Sequence, residues 1–285
     1  MNAADQEVRA GFERQVETAL ASGQLPLLVW QMGKVGSTTL AHALLGVPGL
    51  PAFHVHRLDA RHMVRVRRQL AERGTTLGPG HHLGLALRRQ IVRSGRPARV
   101  LTLVREPVGR NLSAWFQVMK RFAPRLATGD PAPEAIVEAF LERYTHDEPL
   151  TWFDDELRAV TGLDVYGRSF PHDHGWMRLG DHRWDVLVMR HDLPDEQKLA
   201  VLRETWDLDL PPLRATNLTR ESSEADLYRR VLSDVRLPAA YVDRLLDSRY
   251  ARHFYEAKDR RRIRRRWLLG EPPGAARRGE THAGR

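Results

Sequence analysis

"LLVWQMGKVGSTTLAHALL", residues 27–45, runs from an apolar stretch through a glycine-bearing turn with one lysine into a segment that opens on hydroxyls. Residues 27–31 form a short apolar run bounded by turn signals, which suits a strand buried in a parallel sheet. "STTLAHALLG" then reads as a helix with hydroxyls at its start and Gly46 at its end. Such a turn aims the backbone N–H groups of Gly36, Ser37 and Thr38 out of a helix N-terminus, where an anion is favoured. Lys34 adds a mobile positive charge, and Ser37, Thr38 and Thr39 add hydroxyl donors.

The anion is not obviously that of a magnesium nucleotide. An ATP-type loop needs G-x-x-x-x-G-K-[ST], with the lysine after the second glycine. Here Lys34 precedes Gly36, and Gly33 is the only other glycine in the turn. The strand pattern "VLTLV" also runs into Arg105 and not into a metal-binding aspartate. The residues describe an anion site that does without a metal.

Composition narrows the classes. Of the 285 residues, 42% are hydrophobic and 28% charged, which suits a globular protein with a core. There is no cysteine, so disulfides, thiolate metal sites and a cysteine nucleophile are excluded. The charged start "MNAADQEVRAGFERQVETAL" has no apolar h-region, and no apolar run is long enough to span a membrane. A cytoplasmic protein is the expectation. Net charge is +9, and "KDRRRIRRR" (258–266) carries most of it. That run reads as a solvated, flexible tail, or as a contact for a polyanionic acceptor or for an anionic membrane surface on the inner face. Nucleic acid ranks last, because no zinc-finger spacing and no aromatic–basic RNA motif accompanies it.

Strand and helix patterns alternate along the chain. An amphipathic helix covers 5–22. "AFHVHRL" is a second strand, followed by the helix "DARHMVRVRRQLAERG". Residues 82–94 read as helical, "ARVLTLV" as a buried strand, and "PVGRNLSAWFQVMKRF" as a helix with Pro107 at its start. "RWDVLVMR" (183–190) is a further strand, and the pattern from 194 onward is mainly helical. The alternation predicts an α/β fold with a parallel, doubly wound sheet. The expected layout is an N-terminal helix (1–24), one α/β domain (25–257) and a basic tail (258–285). Residues 123–133 read as a mobile loop and 270–285 as disordered.

A second constellation gives the loop a partner. In "VLTLVREPVGRNLSAWF", Arg105 ends a buried strand, where open α/β sheets place ligands, and Ser113 lies about two helical turns beyond Pro107. The arginine's fork and the serine's hydroxyl suit one phosphate. An ion pair of Arg105 with Glu106 or Asp192 stays open, as does a packing role for Ser113. Arg110 reads as a solvated helix position.

"QMGKVGSTTL" resembles the 5′-phosphosulfate loop of sulfotransferases that use 3′-phosphoadenylyl sulfate (PAPS), where a basic residue precedes Gly-[ST]-[ST]. "VLTLVREPVGRNLSAWF" resembles that superfamily's 3′-phosphate motif, in the same order and about seventy residues on. "VLVMRHDL" resembles the strand that ends in an arginine and an acidic residue in many members. "WFDDEL", "DVY" and "YARHFY" look like bacterial capsular polysaccharide synthesis proteins grouped in that superfamily. Together these segments span most of residues 25–257. The resemblance implies a P-loop-like parallel sheet flanked by helices with a mainly helical C-terminal part. It further implies PAPS as co-substrate, 3′,5′-adenosine bisphosphate (PAP) as product and a carbohydrate, glycan or glycolipid acceptor. Lys34, Val35, Gly36, Ser37, Thr38 and Thr39 would hold the 5′-phosphosulfate, and Arg105 and Ser113 the 3′-phosphate.

Sulfuryl transfer also needs a base for the acceptor hydroxyl, and histidine titrates in the right range. His54 and His56 share one face of the second strand. His56, nearer the strand's carboxyl end, is the first choice and His54 the second; a pair of purely structural strand histidines stays open. Glu106 is a substitute base, although its position favours a role beside Arg105. His81 and His82 fall in a Gly-rich loop. "PHDHGW" places His172 and His174 in a polar loop with no third ligand at metal spacing. In "PPLRATNLTRESS" (211–223), Arg214 or Asn217 reads as a reach toward the cofactor, with an ordinary loop as the alternative. Trp115 and Phe116 read as core, with stacking on adenine as the alternative. Two other classes remain: a P-loop kinase or nucleotide-binding enzyme with a degenerate loop, and a non-catalytic polyanion- or membrane-binding protein.

Overall fold

Leu27–Trp30 is wholly inaccessible to solvent, residue after residue, because both of its faces are covered. The computed structural model describes residues 3–72, 78–128, 131–213, 231–232 and 235–270. Its five strands are β1 (Leu27–Trp30), β2 (Ala52–Val55), β3 (Ala98–Val104), β4 (Trp176–Gly180) and β5 (Trp184–Arg190). They form one sheet in the order β2-β1-β3-β5-β4. Every pairing is parallel except β4 with β5. The fold is therefore α/β, with a mostly parallel sheet flanked by helices.

The four parallel strands are those the apolar runs predict. β4 was missed, since it lies within a stretch whose start reads as a polar loop; His172 and His174 do sit in a turn just before it. Its pattern is one-sided: Met177 and Leu179 are buried while Arg178 and Gly180 are exposed. Asp181 ties the hairpin by accepting from the N–H groups of Arg183 (2.8 Å) and Trp184 (2.7 Å). Gly180 is obligatory, because a Cβ there would lie 2.2 Å from the Trp184 carbonyl oxygen.

From β1 the chain passes to β2 on one side and later to β3 on the other. The carboxyl ends of β1 and β3 therefore flank the point where strand order reverses, the usual ligand crevice of open α/β sheets.

The chain divides into two compact units. The first, Met1–Arg105 with Thr151–Thr216, contains the sheet and the helices Ala3–Leu20, Thr38–Leu45, Ala60–Glu72, Pro79–Leu87 and Asp195–Trp206. His81 and His82 lie in the Pro79–Leu87 helix and not in a loop, because Pro79 opens that helix at its first position. His82 is buried and stacks on Phe12.

The described residues of the second unit, Glu106–Leu150 with Asn217–Arg285, are mainly helical. Trp115, Phe140, Tyr144, His146 and Tyr241 form an aromatic cluster within it. Arg110 is not solvated: it is 2% exposed, pairs with the Glu148 carboxylate and donates to the Tyr144 hydroxyl at 3.0 Å. Neighbouring Asn111 donates to the His146 carbonyl at 2.8 Å. A buried guanidinium needs such partners, and they come from a segment some 35 residues away that no local pattern reveals. Residues 124–128 of the expected mobile loop are helical, started by Pro124. The basic run expected to open a flexible tail lies in the helix Ala257–Leu269, held by buried Ile263 and Trp267. Among the described residues no helix is long and apolar enough to cross a membrane. Residues 214–230 and 271–285, which include Arg214, Asn217 and most of the expected disordered end, lie outside the described residues.

Candidate anion-binding site

The turn after β1 is held in a demanding backbone shape. Lys34 has φ of 68° and Gly36 of 77°, both in the left-handed region. For a lysine this conformation costs roughly 1 kcal/mol or more and persists only where the surroundings impose it. Three features do so. Val35, between the two, is 1% exposed and anchors the loop in the core. Arg105, at the end of β3, donates from Nη1 to the Lys34 carbonyl at 3.0 Å. Gly36 faces His191, whose Cδ2 would lie 3.2 Å from a Cβ at that position. Gly36 is thus required by both its φ and its neighbour.

Two sequence motifs seventy residues apart therefore meet at the carboxyl edge of the sheet, with Lys34 and Gly36 exposed. The helix Thr38–Leu45 begins directly after them. Ser37 is its N-terminal flank but makes no side-chain cap. Its hydroxyl is buried and accepts from Gln31 Nε2 instead. Gln31, with no exposed surface, also accepts from the Leu103 N–H at 3.1 Å, so one amide ties the loop to β3. Thr38 is exposed and Thr39 half-buried.

His191 follows β5 and was missed as a site residue. The signal was present in "VLVMRHDL", between the arginine and the acidic residue. Its backbone N–H bonds to the Val104 carbonyl at 2.8 Å, which sets the ring beside the loop. Burial, and then the Arg105 charge, lower its pKa to about 4, so it is neutral near pH 7. Asp192 is held by its neighbour: Arg190 grips both carboxylate oxygens, at 2.9 and 2.6 Å. Burial raises the pKa of that carboxyl, and the Arg190 fork more than offsets it.

The β2 histidines come together as the alternation predicts, with ring centroids 4.8 Å apart. His56 Nδ1 lies 2.9 Å from the Gln31 carbonyl oxygen. A carbonyl only accepts, so Nδ1 carries the hydrogen, and Nε2 holds the lone pair when the ring is neutral. His54 is more enclosed; burial, then His56 and His42, lower its pKa to about 4.

The segment "WFDDEL" organises the chain just past His56. It forms a π-helical turn, Phe153–Arg158, of a kind concentrated at functional sites. Trp152 Nε1 donates to the His56 carbonyl at 3.3 Å. Glu156, with no exposed surface, accepts from the N–H groups of Leu58 (2.8 Å) and Asp59 (3.1 Å). Burial raises its pKa, against those two bonds and the Arg57 guanidinium 3.6 Å away.

Ser113 belongs to the second unit, where it is 8% exposed on the helix Pro107–Phe122. Glu106 cannot serve as the reserve base. It caps that helix, accepting from Val108 N–H (2.9 Å), Gly109 N–H (2.8 Å) and Trp267 Nε1 (3.3 Å).

Residues 134–256, a little under half of the chain, match the family model described as "Putative capsular polysaccharide synthesis protein". The matched part contains "WFDDEL", "DVY" and "YARHFY" and leaves out Lys34, His54, His56, Arg105 and Ser113. Comparison with curated proteins and with solved structures finds no match.

Proposed function

We propose that the chain is a sulfotransferase that moves a sulfuryl group from PAPS to a hydroxyl of a carbohydrate, glycan or glycolipid. The observation that carries this reading is the Lys34–Arg105 junction: a strained lysine turn, bonded to the arginine of the second motif, at the point where strand order reverses. The family match over residues 134–256 supports a glycan acceptor through its description.

In this reading each residue has a role. Loop amides from Gly36 to Thr38 offer donors to the 5′-phosphate at an uncapped helix start. Lys34 offsets the charge that builds on the leaving phosphate oxygen. Arg105 takes the 3′-phosphate, as the resemblance implies. His56 Nε2 takes the acceptor's hydroxyl proton while the new O–S bond forms and the phosphosulfate S–O bond breaks. His54, with its pKa near 4, is the poorer base and serves as His56's neutral neighbour.

The test is calorimetric titration with PAP, without magnesium, on the wild type and on Arg105→Ala. Binding that weakens about 100-fold in the variant is the expected result, since a charge-assisted fork is lost. No PAP binding alongside magnesium–ATP binding would replace this reading with a nucleotide-binding enzyme. Silence with both ligands would leave a binding protein.

A further inference from the structure

The helix Ala257–Leu269 divides its residues among three faces. Asp259, Ile263 and Trp267 are buried, and the Trp267 indole donates to Glu106. Arg260 and Arg264 form a flank pinned to neighbouring helices: Arg264 grips both oxygens of Asp243 (2.7 and 3.1 Å), and Arg260 reaches Asp247 at 3.5 Å. Lys258, Arg261, Arg262, Arg265 and Leu269 make the third face, at i, i+3, i+4, i+7 and i+11. With 100° per residue, these five fall within an arc of roughly 100°. All are exposed, Lys258 to 74%, Arg262 to 47% and Leu269 to 64%.

We infer that this outer arc docks the protein on an anionic phospholipid bilayer. Four cations in one row of about 10 Å make a straight, one-sided electrostatic footprint, strongest where phosphate headgroups form a continuous surface. Lys258 meets Glu256 in a surface pair, which contributes little, whereas Arg262 bonds the buried Asp259 at 3.1 Å and keeps 47% of its side chain exposed. The row ends in an exposed leucine on the same arc, a small apolar element that a bilayer interface takes up. A sugar-binding face would instead present an aromatic platform, and the arc has none: Trp267, the helix's one aromatic residue, is 1% exposed. The buried face fixes the helix before any contact, so docking requires no folding of this segment.

The inference is independent of sulfuryl transfer and is tested on the full chain by sedimentation with two sets of vesicles. One set is phosphatidylcholine alone; the other is phosphatidylcholine mixed with phosphatidylglycerol. The wild type should sediment with the mixed vesicles only, and less so as salt rises. Arg261→Gln/Arg265→Gln should weaken partition about 20-fold. Arg260→Gln/Arg264→Gln removes the same charge from the flank and should weaken it far less. Leu269→Ser should reduce it a few-fold. Thermal unfolding of each variant establishes that it is folded. Equal loss in the two arginine pairs would overturn the docking face. So would equal binding to neutral vesicles, or retention by a soluble sulfated polysaccharide with no vesicle binding at low salt.

Discussion

Two helix starts in this molecule follow a strand or loop in the same way and end up with opposite chemistry. At Thr38–Leu45 in the first unit, Ser37 turns its hydroxyl inward to Gln31 and caps nothing. At Pro107–Phe122 in the second unit, Glu106 closes the terminus with its own carboxylate, and Gly109 exists to let it do so. A Cβ on Gly109 would lie 2.2 Å from Glu106 Oε1. A terminus that carries a built-in anion has no need of another. The proposed anion site is therefore marked less by the helix start itself than by the cap that is withheld there.

The largest effect should come from opening the closed start. Glu106→Ala removes the acceptor of three buried donors, and urea unfolding should show a loss of about 3 kcal/mol. Ser37→Ala, at the open start, should cost only about 1 kcal/mol, because it leaves one Gln31 donor unmatched and removes no cap. Equal costs would end the distinction.

Acid should act next, and at the open start. His54 and His191, near the loop, have folded pKa values of about 4, below the usual 6.5. Between those pH values only the unfolded chain takes up the proton. Stability is thus complete above pH 6.5 and falls as pH drops to 4. His54→Asn/His191→Asn should flatten a stability profile taken across that window. An unchanged slope would mean that other groups carry it.

The smallest effect sharpens the comparison most. Lys34→Gly relieves a left-handed lysine and should raise stability by about 1 kcal/mol, read as a higher urea midpoint. PAP affinity should fall in the same variant. A residue kept at the expense of stability is one whose side chain is used.

Much of the first unit was legible because its signals are local. Apolar runs gave the four parallel strands, the H-x-H alternation gave two rings on one face, and the departure from the ATP-loop pattern drew attention to Lys34. β4 escaped because its five residues alternate under a run of histidine and aspartate. His191 escaped because nothing in its own neighbourhood says that Gly36 lies against it. In the second unit, Arg110 was misread because helical periodicity describes a face and not what covers it. The basic run was misread as a tail because charge density hid two anchors, Ile263 and Trp267.

The sequence alone determined the α/β class, the strand–turn–helix that opens on Lys34 and the absence of any thiol chemistry, since each depends on residue type and short-range spacing. Only the tertiary structure decided that Arg105 holds the Lys34 carbonyl, that Glu106 is a cap and not a base, and that Glu156 secures the turn after His56. It alone also sorted six of the seven basic residues of that run into a pinned flank and an outer arc. Those outcomes depend on which polar groups must find partners once water is removed, and partners far apart along the chain are chosen by packing.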